Sequence, residues 1–299
     1  MERRGLLTAV GVFLGLFLLC FLFATALVSI SGRGDAGMEG DGPRIGVVEV
    51  DGVIRDTRDA LLALESFRRN PEIVAVVVRI DSPGGAVGPS QELYGAIRRV
   101  RKDKKVVASM GSVAASGGYY VACAADRVLA NAGTVTGSIG VITQLAQFDE
   151  LLALMRVRTA TIKSGALKDA GSPLRPMTDE DRAYFQGVVD DIYRQFLRDV
   201  SLARRVPEAD IRAVADGRVL TGEQALAHKL IDEIGGFDVA LIRAAALAGK
   251  KGDPVPVYPR KRVQTILAEL LEESGARIGQ WLRAGGVTVE ARDPNLGAP

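Results

Sequence analysis

Few of the side chains that most often carry enzyme chemistry are present in this sequence of 299 residues, which contains one histidine and two cysteines. The histidine, His228, lies in a helical segment between charged and apolar neighbours, so we expect a surface or half-buried role rather than catalysis. Metal sites need several Cys, His or carboxylate ligands at short spacing, and no metal is therefore predicted. Cys20 and Cys123 are distant in sequence, which argues against a disulfide framework, and both are interpreted as buried thiols.

Nucleotide-binding motifs and an excess of charge are also missing. The sequence contains neither GxxxxGK(S/T) nor GxGxxG, and no cofactor is predicted. Lysine and arginine number 38 against 36 for aspartate and glutamate, and the net charge of +2 gives no general reason to expect a nucleic-acid partner. The basic run RRVRKDKK (98–105) is typical of the solvated face of a helix.

One long hydrophobic run stands near the start of the chain. Residues 5–30 contain no charged side chain and follow Arg3 and Arg4. About 20 apolar residues suffice to span a bilayer, so residues 1–30 are predicted to be an uncleaved, single-pass signal anchor. A cleaved signal peptide ending near Ala-Thr-Ala (24–26) is the alternative. Acidic residues after the run favour a cytoplasmic N-terminus, which would place the main domain outside the cytoplasm.

Changes in composition divide the rest of the chain. The Gly-rich residues 31–43 are predicted to be a flexible linker, and residues 44–250 are predicted to form the main domain. Residues 251–299 are expected to contain an amphipathic helix, from about Val263 to Leu282, and a disordered tail.

The first half of the main domain repeats a pattern of strand, loop and helix. Apolar, β-branched runs at 45–50, 72–80, 105–110 and 139–143 are predicted to be strands, and most are followed by helical spacing. This repetition predicts an α/β fold with mainly parallel strands, and nearly continuous apolar strands fit burial on both faces.

Helices dominate after Met177. Residues 178–204 carry apolar side chains at helical spacing, and Thr178 with Asp181 gives a capping-box pattern at the start. A second helix is predicted over LTGEQALAHKLID, with its cap at Thr221.

The stretch MGSVAASGGYY (110–120) contains the best-placed nucleophile. It is predicted to leave a strand and enter a helix near Ser116. Unpaired N–H groups and the positive end of the helix dipole at such a start stabilise a developing oxyanion. Gly117 has no side chain to shield its amide from a substrate. The alternative is that these small residues only allow close packing under a neighbouring helix.

A second glycine-rich turn lies in RIDSPGGAVGPS (79–90), again between a predicted strand and a predicted helix. Backbone amides at such turns can converge on a negative oxygen. One amide from Gly85 and one from Gly117 would make an oxyanion hole, although a plain strand-to-helix connection would show the same pattern.

With histidine excluded, the base for Ser116 must be a carboxylate or a lysine. A lysine base needs its pKa brought from about 10.4 toward 7, a penalty of roughly 4–5 kcal/mol on the charged form that requires a deep, apolar site. The Gly/Ser/Pro-rich loop 159–178, entered from a predicted strand, offers Lys163 and Lys168. The chemistry of the residues does not choose between them.

Five motifs together resemble the short, single-domain form of the bacterial signal peptide peptidase A family. They are DSPGG, MGSVAASGGYY, TGSIGV, KSGALKDAGSP and GRVLTGEQALAHKLIDEIG, in this order after a hydrophobic N-terminal run. The resemblance covers about residues 45–247. It implies an α/β fold similar to crotonase and to the proteolytic subunit of Clp protease, with stacked ββα units.

The resemblance assigns roles to five residues. It implies that Ser116 is the nucleophile and that Lys168 is the general base. Ser138, in TGSIGV, would hydrogen-bond this lysine and position it. Gly85 and Gly117 would donate their amides to the oxyanion.

The first lysine of the KSG motif, Lys163, would not be catalytic according to the same resemblance. The nearly complete lack of histidine is what a Ser/Lys dyad predicts.

The activity that the resemblance implies is cleavage of remnant signal peptides and other short membrane-associated peptides by a serine endopeptidase. Its active sites would be built from neighbouring subunits of a ring-like homo-oligomer. The expected location is the bacterial inner membrane, with the catalytic domain on the periplasmic side. Two alternatives are a non-catalytic membrane scaffold or chaperone on the same fold, and a crotonase-like enzyme acting on acyl-CoA thioesters.

Overall fold

The structure is a computed structural model that describes residues 40–259, together with positions 17, 18 and 21, which are helical. Most of the predicted anchor, most of the predicted linker, and the predicted C-terminal helix and tail lie outside the described residues. Among the helices that are described, none is both long enough and apolar enough to cross a bilayer.

A single sheet of eight strands organises the described residues. The strands are β1 (Arg44–Asp51), β2 (Ile73–Ser82), β3 (Lys105–Ala115), β4 (Arg127–Ala130), β5 (Val135–Gly137), β6 (Val219–Thr221), β7 (Glu233–Ile234) and β8 (Val255–Val257). The main order is β6-β5-β3-β2-β1-β8, and β4 pairs with β3 and β7 beside this path.

All strand pairs in this sheet are parallel except β5 with β6, which is antiparallel. The prediction of an α/β fold with mainly parallel strands is therefore confirmed. The sheet continues beyond residue 250, because β8 pairs with the first residues of β1.

Helices connect most of the strands, as parallel pairing requires. They are α1 (Arg58–Arg69), α2 (Val87–Val100), α3 (Gly117–Cys123), α4 (Asp149–Leu154), α5 (Asp179–Arg204), α6 (Glu208–Arg212), α7 (Gly222–Ala227) and α8 (Phe237–Leu247), with a 3-10 helix at Ala166–Asp169.

Two helices begin at the capping residues predicted from the sequence. The predicted capping box at Thr178 and Asp181 is present at α5, and Thr221 caps α7 through Gln224. The helix α7 is shorter than predicted, and His228 follows it on the surface, as expected.

Apolar side chains cover both faces of the sheet. Within β2, Val76 and Val78 pack in a cluster with α1, α2, α3 and the second half of α5, whereas Ala75 and Val77 pack with α8. Alternate side chains of a strand point to opposite faces, so burial on both faces explains why this strand is almost continuously apolar.

The strand β3 changes partners half-way along its length. Its residues 107–109 pair with β4, and its residues 113–115 pair with β5. Between them the register against β2 shifts, and the carboxylate of Asp81 accepts the N–H groups of Ser112 and Val113, both at 3.1 Å. Burial alone would raise the pKa of Asp81, but the hydrogen bonds from Ser112 and Val113 together with the charge of Arg79 lower the pKa below its ordinary value. The irregularity directs the end of β3 away from β4.

Two predicted strands are wrong. The run 139–143 is not a strand; the strand is β5, which ends at Gly137, and Ser138 after it has a φ of 50° that leaves the extended conformation. The approach to Lys163, residues 157–163, also has no regular structure.

Both errors fall in or beside residues 141–177, which we call the apolar arm. Ten large apolar side chains of the arm are exposed: Ile142, Leu145, Phe148, Leu151, Leu154, Met155, Val157, Ile162, Leu167 and Leu174. These apolar side chains are therefore not part of the hydrophobic core that the chain packs against its own sheet.

Candidate active site

Ser116 occupies a strained turn between β3 and α3. Its φ of 52° and ψ of −119° are rare for a residue with a side chain and are expected to cost about 1–3 kcal/mol. The turn is held because Ser116 N–H donates to Gly137 O at 2.8 Å, and Tyr120 N–H donates to Ser116 O at 2.9 Å. A serine on a strained strand-to-helix turn is the arrangement that presents a nucleophile in many hydrolases.

The second predicted turn lies directly against the first one. Gly84 has a φ of 104°, and a Cβ built on it would lie 2.8 Å from Gly117 N and 2.9 Å from Ser116 Cβ. The backbone of residues 84–86 is held by Ile54, whose N–H donates to Gly84 O at 2.9 Å and whose carbonyl accepts Ala86 N–H at 2.8 Å. Only glycine allows this left-handed conformation and this close approach at residue 84.

Two backbone amides remain available at this junction. A Cβ built on Gly117 would lie 3.3 Å from Gly85 N, so the two glycines are immediate neighbours. Gly117 is the first residue of α3, so its N–H has no acceptor within the helix. Gly85 N–H makes no hydrogen bond within the described residues. The structure thus brings together the two amides predicted for an oxyanion hole.

Ser138 lies beside Ser116. The strands β3 and β5 pair Ala115 with Gly137, and each is followed by one of these two serines. Ser138 also has a positive φ, 50°, and its N–H donates to Arg218 O at 2.8 Å. The serine that the resemblance implicated in positioning the base is therefore adjacent to the candidate nucleophile.

A small cavity of about 40 Å³ opens beside Ser116. Besides Ser116 and the glycines Gly85, Gly117 and Gly140, it is lined by Val87, Ser90, Gln91, Tyr120, Ile192 and Phe196. Most of these side chains are apolar, so the cavity suits a small or medium apolar group bound next to the serine.

The helix α3, which follows Ser116, is held in place by buried contacts. All seven residues of α3 are buried. Tyr119 donates its hydroxyl to Leu230 O at 2.9 Å, and Tyr120 donates to the carboxylate of Asp199. Burial raises the pKa of the Cys123 thiol to about 12, which makes this cysteine inert as a nucleophile at neutral pH. The expectation that Cys123 is a buried thiol is confirmed, whereas Cys20 lies outside the described residues.

The two candidate lysines differ in their contacts. Lys163 Nζ donates to Asp169 Oδ1 at 2.6 Å and to Ala166 O at 2.8 Å. Lys168 is exposed, and its amine makes no hydrogen bond or ion pair within the part of the chain that the structure describes. No lysine is among the residues that line the described cavity at Ser116. A single copy therefore leaves Lys168 free, but outside the enclosed apolar environment that a lysine base requires.

The walls of the cavity were not predicted from the sequence. Ile192 and Phe196 belong to the apolar residues at helical spacing that predicted α5. Their spacing of four residues identifies the buried face of the helix, but it carries no information about which loop this face meets.

Comparison with known families decides the identity of the domain. The sequence profile described as Peptidase family S49 matches residues 98–251, which include Ser116, Ser138 and Lys168. The chain belongs to peptidase family S49. The resemblance to the signal peptide peptidase A family is thereby confirmed, and the family supports the prediction that the protein is a peptidase.

Relatives of this S49 chain carry protease names. A protein of Synechocystis sp. named as a protease is 40% identical over 213 residues, which cover 71% of this chain and 77% of the relative. A protein of Enterococcus faecium that carries the name signal peptide peptidase SppA is 33% identical over 65% of this chain and 60% of its own length. The chloroplastic serine protease SPPA of Arabidopsis thaliana is 34% identical over 72% of this chain, but only 32% of that protein is matched.

Proposed function

We propose that this S49 peptidase is a membrane-anchored serine endopeptidase with a Ser/Lys dyad, which degrades remnant signal peptides. The observation that carries the serine mechanism is the strained Ser116 beside the free amides of Gly85 and Gly117, all facing one apolar cavity. Lys168 would be the base, because it is the candidate lysine whose amine is not already held by a carboxylate.

In this mechanism Ser116 Oγ attacks the carbonyl carbon of the scissile peptide bond. Neutral Lys168 takes the hydroxyl proton, and Ser138 holds the amine in place. The negative oxygen of the tetrahedral intermediate is stabilised by the N–H groups of Gly85 and Gly117. The lysine then returns the proton to the leaving amine, and an acyl-enzyme on Ser116 remains. Water, deprotonated by the same lysine, hydrolyses this ester and regenerates the serine.

A second copy of the chain would complete the site. The apolar arm exposes ten large apolar side chains and also carries Lys168. Packing of the arm against a neighbouring subunit would bury this surface and bring Lys168 to the neighbour's Ser116. This arrangement agrees with the ring-like homo-oligomer that the resemblance implies. The parallel strands and connecting helices likewise agree with a fold similar to crotonase and to Clp protease.

The substrate class is supported by three features. The cavity beside Ser116 fits small and medium apolar side chains, which are frequent in signal peptides. The uncharged run at residues 5–30 would hold the enzyme where released signal peptides remain. The name of the Enterococcus faecium relative includes signal peptide peptidase. The proposed location is the inner membrane, with the domain on the periplasmic side.

Covalent labelling and peptide cleavage test this proposal together. The full chain in detergent is treated with a fluorophosphonate, and a synthetic signal peptide is offered in a parallel reaction. We expect one phosphonyl group per reactive site, mapped by mass spectrometry to Ser116, and internal cleavage of the peptide after small or medium apolar residues. Labelled protein should lose its peptidase activity in proportion to the label.

Other outcomes of that experiment would point elsewhere. A chain that forms oligomers but neither reacts with the fluorophosphonate nor cleaves any peptide would favour the scaffold alternative. Label on a different serine would exclude Ser116 as the nucleophile.

Gly85→Ala is expected to lower kcat/KM about 100-fold to 1,000-fold, as removal of an oxyanion donor does in related chemistry. A Cβ at this position would lie 2.2 Å from Ile54 O and 2.6 Å from Ile54 N, so the turn must shift and move its amide. The matched control is Gly88→Ala, because a Cβ on Gly88 meets no atom within 4 Å. Steady-state kinetics of both variants with one peptide should separate them; an equal loss in both would contradict the assigned role of Gly85.

A further inference from the structure

The turn that carries Lys168 is held at both of its ends by side chains. This turn is the 3-10 helix Ala166–Asp169, in a segment that otherwise has little regular structure. Lys163 Nζ donates to Ala166 O at 2.8 Å, at the first residue of the turn. Arg175 Nη2 donates to Asp169 O at 3.2 Å, at its last residue.

The carboxylate of Asp169, the residue that follows Lys168, is fully engaged. Arg175 donates Nε to Asp169 Oδ2 and Nη2 to Oδ1, both at 3.0 Å, and Lys163 Nζ donates to Oδ1 at 2.6 Å. These contacts, with Arg175 as the larger cause, lower the pKa of Asp169 to about 2. A carboxylate held by two cations is not available to bind the neighbouring amine of Lys168.

Arg175 connects this turn to the start of α5. Its Nη1 and Nη2 atoms donate to the two carboxylate oxygens of Asp181 at 2.5 and 3.0 Å. Asp181 is only 2% exposed and forms the capping box of α5 with Thr178. The far half of α5 supplies Ile192 and Phe196 to the cavity at Ser116. One guanidinium therefore joins the lysine turn to the helix that lines the substrate cavity.

We propose that Arg175 is a positioning residue for the reaction, which fixes the turn bearing Lys168 to α5 through Asp169 and Asp181. This inference rests on the proposed function, because it gives Arg175 a role only through the general base. A misplacement of about 1 Å in a catalytic group can cost about 100-fold in rate, so a loosened turn should lower turnover without weakening substrate binding.

The test is Arg175→Met in the full chain, measured with a peptide substrate. We expect kcat to fall about 10-fold to 100-fold while KM stays within about threefold. Arg243→Met is the matched control, since Arg243 also forms a bidentate pair, with Glu233, away from the arm; its kcat should stay within about twofold of wild type. If Arg175→Met does not fold, Asp169→Asn removes the negative charge that Arg175 and Lys163 bind at the turn, leaves the pair of Arg175 with Asp181, and should show the same split between kcat and KM.

A double-variant cycle separates positioning from general damage. In a Lys168→Ala background, Arg175→Met should cause no further loss in the rate of Ser116 labelling by fluorophosphonate, because the group it positions is absent. A similar loss in both backgrounds, or kcat within twofold of wild type in Arg175→Met, would overturn the proposal while leaving the peptidase intact. An inactive wild-type chain would overturn the proposed function itself, and the role of Arg175 with it.

Discussion

Ser116→Ala is expected to lower kcat/KM for a signal peptide by at least about 10,000-fold, because the acyl-enzyme can no longer form. The turn that holds this residue depends on backbone hydrogen bonds, which alanine retains. The circular dichroism spectrum and the oligomeric state should therefore match those of wild type. A variant that keeps more than about one-hundredth of the activity would show that another residue is the nucleophile.

Ser116→Gly provides a second measurement on the same position. The φ of 52° and ψ of −119° strain any residue with a Cβ, and glycine adopts them without that strain. Ser116→Gly should also be inactive, but its free energy of unfolding should exceed that of Ser116→Ala by about 1 kcal/mol. Glycine usually destabilises relative to alanine, so the reversed order would report the strained backbone at residue 116. Chemical denaturation of the two variants under identical conditions measures it.

Lys168→Ala is expected to reduce kcat/KM by at least about 1,000-fold, because Ser116 loses its base. Lys163→Ala should cause a smaller loss, at most about 100-fold, because the amine of Lys163 is bound by Asp169 and Ala166 O and only helps to hold the turn that carries Lys168. Comparable losses in both variants, or a larger loss in Lys163→Ala, would reassign the base.

Mixing the two inactive variants tests where the base comes from. If Ser116 and Lys168 of one site belong to different subunits, oligomers assembled from equal amounts of Ser116→Ala and Lys168→Ala should recover activity in about one site in four. Recovery requires co-expression or reassembly from separated subunits. No recovery in verified mixed oligomers would place both residues of a site in the same subunit.

The sequence predicted those parts of the fold that depend on local chemistry. Continuous apolar runs predicted β1 and β2 because these strands are buried on both faces. The Thr178 and Thr221 caps were predictable because a capping box needs only two residues three positions apart. The turn at Ser116 was predictable because small residues mark the change from strand to helix.

The parts that were missed depend on long-range contacts. The run 139–143 has the apolar pattern of a strand but lies outside the sheet, because the backbone of Ser138 turns away after β5. The contacts of Arg175 with Asp169 and Asp181 span only six residues in each direction, yet several charged side chains in this loop could have paired. The cavity wall formed by Phe196 depends on how α5 packs, which helical spacing does not specify.

The exposure of Lys168 on the apolar arm has a consequence for control of the enzyme in the cell. If the base reaches the serine only across a contact between two copies, a newly made chain has no peptidase activity while it is monomeric. Specific activity should then fall on dilution below the dissociation constant of the assembly and return on concentration. Such an enzyme would need no inhibitory propeptide, because the local concentration of its own subunits would set when cleavage begins.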